Sequence, residues 1–250
     1  MRITLAILAS LSLITSAYAD TAPAGDVVKP AKIAAQNAPV KAATDDADDS
    51  LKVTKNTGGV VDSPLIRNAP LRSDYVMGKR DAKIVIVEYA SLSCPHCAHF
   101  SNDILTGLEL KYIKTGKVAY VLRPFPLNEP ALRGAMLLNC VGDSSTEKYY
   151  TFARVLFESQ KRWAFDENFL TSLETIANVG GVSKKQFNDC VKDMDREVAV
   201  LKIKKEANDE LKIPHTPYFY IAGEAYEGEK TFDAMSQFID AKLAALEKKK

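Results

Sequence analysis

The stretch Lys83-Ile-Val-Ile-Val-Glu-Tyr89-Ala-Ser-Leu-Ser-Cys94-Pro-His-Cys97-Ala-His-Phe100 decides how this chain is read. Lys83 to Tyr89 is a continuous run rich in β-branched residues, the mark of a strand buried on both faces. A short link, Ala90 to Ser93, leads to two cysteines separated by two residues. Ala98 to Ile113 then carries Phe100, Ile104, Leu108 and Tyr112 on one helical stripe, and Gly116 stops it. The helix therefore begins at or just after Cys94. That places Cys94 in the N-terminal turn and Cys97 one turn inside, with Pro95 where a missing N–H costs nothing.

This placement has a chemical consequence. The attacking species in disulfide exchange is a thiolate, and a free cysteine is mostly protonated at neutral pH. Unpaired backbone N–H groups and the positive end of the helix dipole lower its pKa. Two intervening residues bring the sulfurs within bonding distance. Cys94 is expected to be the exposed nucleophile and Cys97 the resolving thiol. His96 is expected to donate to the Cys94 thiolate, or to repel charge toward it, favouring the reduced form and making the disulfide a stronger oxidant. The alternatives for such a pair are half a zinc site or a structural bridge. A second Cys-x-x-Cys or a His pair at ligand spacing is absent from the sequence, and His96 and His99 lie too close to complete a tetrahedron. No metal is expected.

Downstream, Lys117 to Leu122 reads as a second strand, followed by Pro124, Pro126 and Pro130. From Ala131 to about Leu211 the pattern is helical: Leu132, Met136 and Cys140 share one face, Phe152, Val155 and Leu156 another, Phe169, Leu173 and Ile176 a third. Asp166 is a candidate N-cap, and Ser183-Lys-Lys-Gln186 fits a capping box. Tyr218 to Ile221 reads as a strand, Gly223 to Gly228 as a hairpin turn, and Phe232 to Leu246 as a closing helix. The coarse architecture is α/β, with a helical block at about 128–211 inserted between two halves of a small sheet.

Upstream, Arg2 and the apolar run Ile3–Ile14, broken only by Thr4, Ser10 and Ser12, precede Ala17-Tyr18-Ala19. This is the form of a cleaved signal peptide over 1–19. The run of about 12 residues is too short to span a hydrocarbon core. An uncleaved anchor is the alternative. Residues 20–72 hold no Phe, Tyr or Trp and read as a disordered linker, with an ordered domain over 73–248. The formal charge of +1 gives no electrostatic case for nucleic acid. Lys248, Lys249 and Lys250 read as a solvated helix end. Export into an oxidising compartment favours disulfides among the four cysteines.

The segment from Glu88 to Phe100 resembles the active-site region of the DsbA family of periplasmic thiol–disulfide oxidoreductases, in particular the α-proteobacterial members with a further cysteine pair. The resemblance runs over roughly 75–246 and includes the Thr216-Pro217 step before a strand. It implies a thioredoxin fold with an inserted helical subdomain. It also implies that Pro217 is cis beside the cysteine pair, and that the backbone of Thr216 pairs with substrate as an added strand. Glu88 becomes a buried carboxylate assisting proton transfer at Cys97; its alternative is an edge position facing solvent. His99 is expected to face solvent, and His215 to lie near the active site. Cys140 and Cys190, on separate helices, are candidates for a structural disulfide, the alternative being two free thiols.

Three functional readings follow. The first is a net oxidase that donates the Cys94–Cys97 disulfide to reduced exported polypeptides in the periplasm. It needs no cofactor, and the resemblance implies a quinone-linked membrane partner for re-oxidation. The second is an isomerase or reductase, favoured by Thr216 where the best-known oxidases have Val, and by the long linker. The third is a non-catalytic, chaperone-like or adhesion module with a vestigial motif.

Overall fold

The strand predicted over Lys83–Tyr89 forms as Ile84–Ala90, and all seven of its residues are buried. A computed structural model describes residues 63–65 and 67–248; the proposed signal peptide and most of the linker lie outside the described residues. The sheet has five strands: β1 (Val76–Met77), β2 (Ile84–Ala90), β3 (Val118–Pro124), β4 (Tyr218–Ile221) and β5 (Glu224–Ala225), in the order β1-β3-β2-β4-β5. Only β2 and β3 are parallel, with Glu88 opposite Leu122; β4 runs antiparallel to β2, with Phe219 opposite Glu88. A parallel pair needs a crossover, and the helix after the cysteines supplies it.

That helix, α1, covers residues 95–113. Alpha-helical turns at Pro95–His99 and Leu105–Leu108 alternate with π turns at Phe100–Ile104 and Glu109–Ile113. Its predicted stripe of Phe100, Ile104, Leu108 and Tyr112 is buried. Gly116 turns the chain at φ +75, a left-handed conformation that suits glycine.

Because strand side chains alternate, the sheet separates two apolar clusters. Ile84, Ile86 and Ala90 face α1 and the helical block. Val85, Val87 and Tyr89 face the opposite side, with Ala119, Val121, Ala207, Ile213 and Tyr220. The insertion between β3 and β4 comprises α2 (Glu129–Gly142), α3 (Thr146–Glu158), α4 (Gln160–Trp163), α5 (Phe169–Val179), α6 (Lys184–Val191) and α7 (Met194–Glu206), extended by a π turn at Ala207–Leu211. The closing helix α8 is Phe232–Glu247. This is a thioredoxin fold with an inserted helical subdomain.

Three expectations need correction. The linker does not extend to residue 72: Ser63 and Leu65 are buried, and Leu71 packs on the second cluster. The anchor is Arg123, 1% exposed, which holds Asp74 through Nε (3.0 Å) and Nη2 (2.7 Å). Arg123 also donates to the Leu65 carbonyl and to the Tyr89 hydroxyl, and Tyr89 in turn donates to Leu65 (3.2 Å). Such tertiary anchoring leaves no trace in local composition. Second, Asp166 does not cap α5 directly. Asn168 is the N-cap residue, and Asp166 receives the Asn168 N–H (2.9 Å) from two residues upstream. Third, the short strand β1 joins the sheet beside β3, where the sequence showed only the start of order. Ser183 does cap α6, accepting from the Gln186 N–H at 3.2 Å.

Candidate active site

Cys94 is the N-cap residue of α1, with φ −83 and ψ 121, and Pro95 occupies the first turn. The loop before it is tied down from two sides. Its own turn is closed by the Cys94 N–H on the Ser91 carbonyl at 3.0 Å. From the helical subdomain, the buried Gln160 amide donates to the carbonyls of Leu92 (2.9 Å) and Cys94 (3.0 Å). The Thr216-Pro217 peptide is cis, and the Cys94 thiol donates to the Thr216 carbonyl at 3.2 Å.

Both cysteines are present as free thiols. Cys97 is fully buried, whereas Cys94 keeps 7% of its surface accessible. The expected exposed nucleophile is thus only narrowly exposed, because the loop carrying Thr216 closes over it.

The two sulfurs are chemically unequal. A hydrogen bond from the Cys97 thiol brings the Cys94 pKa down to about 5; burial opposes this, and the Thr216 side chain and the backbone N–H groups of Cys97 and His96 add to it. Burial drives the Cys97 pKa well up, reinforced by its bond to Cys94 and by the charge of Glu88. His96 therefore acts on Cys94 through its backbone. Its ring is exposed and makes no hydrogen bond to the sulfur. The reason is geometric: in the first turn of a helix, N–H groups point at the N-cap while side chains splay outward.

Glu88 is 1% exposed, which removes the solvent-facing alternative. Its Oε2 accepts a very short hydrogen bond from the Tyr120 hydroxyl, and its Oε1 has no protein partner. Burial pushes its pKa up to about 8; the Tyr120 bond opposes the shift, and the Cys94 charge adds to it. At neutral pH this arrangement favours a thiolate at Cys94 and protons on Cys97 and Glu88.

Cys140 and Cys190 are disulfide-bonded, joining α2 to α6 with their Cα atoms 5.8 Å apart. His99 is exposed and pairs with Asp103 at 2.6 Å, as expected of a solvent-facing residue. His215 lies beside the site, in a groove it shares with His96 and His99. Among the described residues no cluster of three or more His, Cys, Asp or Glu side chains is arranged to hold a metal ion. Gln160 is the site residue that sequence reasoning missed. A polar residue at the start of a one-turn helix, 66 positions from the carbonyl it serves, gives no local signal.

Comparisons with known proteins agree with this geometry. The thioredoxin family model matches residues 71–241. A Rickettsia felis protein, named provisionally as a protein-disulfide oxidoreductase, is 32% identical over 172 residues, covering 68% of this chain and 60% of the relative. The chain thus spans about three fifths of the length of the curated relatives it matches first. The crystal structure of alpha-DsbA1 from Wolbachia pipientis superposes with a TM-score of 0.67 at 31% identity, covering 71% of this chain and 94% of that one. BdbD from Bacillus subtilis shares the fold at 20% identity, with a TM-score of 0.61, over 71% of this chain and 97% of its own.

Proposed function

Because the chain belongs to the DsbA family of thioredoxin-fold proteins, we propose that it is an exported thiol–disulfide oxidoreductase that introduces disulfides into reduced polypeptides. The observation that carries this reading is the unequal ionisation of the pair, with Cys94 at about 5 and Cys97 well above its ordinary value. A stabilised thiolate favours the reduced state, and a couple whose reduced state is favoured has a disulfide that oxidises others; DsbA is the familiar example.

The reaction proceeds in two exchanges. A substrate thiolate attacks Cys94 Sγ of the Cys94–Cys97 disulfide, so a substrate–Cys94 bond forms and Cys97 leaves as a thiolate. Its high proton affinity draws a proton, which the buried Glu88 carboxyl, whose charge Cys97 feels, would deliver. A second substrate thiolate then attacks the substrate sulfur of the mixed disulfide. Cys94 departs as a stable thiolate, two substrate thiols have become a disulfide, and the protein holds the two electrons. The Thr216 backbone aligns the substrate as an added strand. The electrons stay on sulfur, so no dissociable cofactor is called for. A membrane partner linked to quinone would re-oxidise the pair. Residues 1–19 would direct export to the periplasm.

Redox titration of the Cys94–Cys97 couple in glutathione buffers tests the reading, on protein lacking residues 1–19 with Cys140 and Cys190 intact. A potential well above thioredoxin's is expected. A potential near thioredoxin's would sink the oxidase and leave the isomerase or reductase, the reading that Thr216 favours.

A further inference from the structure

All three histidines of the chain line one groove of about 360 Å³ beside the cysteine pair. Phe100, Ile104 and Pro217 supply its apolar surface; His96, His99, His215 and Lys230 supply its polar edge. No carboxylate lines it. Asp103 is engaged by His99 at 2.6 Å and Glu227 by the Tyr218 hydroxyl at 2.6 Å, while Glu229 and Asp233, close to Lys230 in the chain, are exposed and do not line the groove. Lys230 is half-buried and makes no ion pair or hydrogen bond among the described residues. A lysine whose stem lies on apolar surface keeps its ammonium at the groove edge, where an incoming carboxylate can form a charge-assisted hydrogen bond with it. Each histidine ring adds N–H donor capacity and no negative charge.

We propose that this groove selects substrates by charge: it takes the segment flanking the substrate cysteine when that segment carries an apolar side chain and a carboxylate, with Lys230 as the specificity-determining residue. The inference rests on the exchange reading above and adds the substrate class. Thr216 and Pro217, the residues beside Cys94, also line the groove, so a strand laid along them directs its neighbouring side chains into it. An apolar wall gives affinity for many sequences, and a single lysine in a groove lined by no carboxylate discriminates among them.

The test uses the full chain with its Cys94–Cys97 pair oxidised. Three two-cysteine peptides of one apolar sequence differ only in carrying Glu, Gln or Lys beside the first cysteine. Rate constants for reduction of the protein are measured by acid quench and mass spectrometry. Each is divided by the rate at which the same peptide reduces glutathione disulfide, which removes the effect of the neighbouring charge on the peptide thiol. The expected order is Glu, Gln, Lys, with a Glu-to-Lys ratio of about 3 to 5, the scale of one half-exposed charge pair. In Lys230→Gln the ratio falls toward one, and in Lys230→Glu it inverts. Being internal to each variant, the ratio is unaffected by a change in overall rate. A ratio of one in the wild-type chain, or a preference that persists in Lys230→Glu, overturns the proposal. Reduction by none of the three peptides overturns the exchange reading instead.

Discussion

The molecule carries two cysteine pairs, and they have opposite fates. Cys140 and Cys190 lie 50 residues apart on two helices of the inserted subdomain and are bonded to each other. Cys94 and Cys97 lie in one turn at the start of α1, are free thiols, and sit under the cis Thr216-Pro217 peptide. The first pair closes a long loop, which restricts the unfolded chain. The second closes almost none and adds little stability; its environment is built instead to make its two sulfurs ionise differently. The functional group is the same in both, and what surrounds it decides whether the pair is structural or reactive.

The sharpest way to break this comparison is to remove one pair at a time. Cys94→Ser is expected to abolish exchange with a dithiol peptide, leaving only the background rate, and to remove from the reduced protein the stability that the Cys94 thiolate contributes at neutral pH. The double variant Cys140→Ala/Cys190→Ala is expected to keep exchange within a few-fold and to lose about 4 kcal/mol, from the chain entropy of a loop of roughly 50 residues. That is a fall of order 10 °C in Tm for a domain this size. If the double variant lost exchange while still folded, the division into structural and reactive pairs would fail.

A finer prediction concerns pH. Cys94 has a depressed pKa, so its contribution to the reduced protein is complete above the unfolded value and is lost as pH falls through about 5. Glu88 has a raised pKa, so its contribution is complete below its unfolded value and is lost as pH rises through about 8. Between pH 5 and 8 the two slopes, each about 1.4 kcal/mol per unit, oppose one another in the reduced form. In the oxidised form Cys94 does not titrate, and only the Glu88 decline remains. Oxidised protein is therefore expected to lose stability across this range while reduced protein stays nearly level, as read by denaturant unfolding. Glu88→Gln should remove the decline in the oxidised form. Thiolate absorbance of the reduced protein should titrate near pH 5; a midpoint near 8 would contradict the assignment of Cys94.

The smallest expected effect lies where the two regions meet. Gln160, on α4 of the inserted subdomain, is the donor for two carbonyls of the active-site loop. Gln160→Ala leaves those carbonyls without it, and is expected to cost about 2 kcal/mol by denaturant unfolding. It should also loosen Cys94, seen as faster alkylation at fixed pH. A stability loss with unchanged alkylation would show that the subdomain supports the fold and not the reactive loop.

Much of this site was legible in the residue order. The β-branched run, the helical stripe behind it and the two-residue cysteine spacing are local features, and local features dictate local structure. They placed Cys94 at a helix N-terminus and Cys97 inside it before any tertiary contact was known. They also marked the helical character of 131–211 and the strand after Pro217. Glu88 was singled out by the resemblance alone, with a solvent-facing edge position as its alternative, and its burial removes that alternative.

What the sequence by itself could not determine depends on distance along the chain. That Glu88 meets Tyr120, that Arg123 gathers Asp74, Leu65 and Tyr89, and that Gln160 reaches the loop 66 residues away are outcomes of packing. The same is true of His96, whose ring turned out to face a groove while its backbone faces the sulfur. Side-chain identity and spacing set the menu of partners within a helical turn or a strand pair. Only the folded chain brings the remote ones into hydrogen-bonding range, and burial then assigns them their charge.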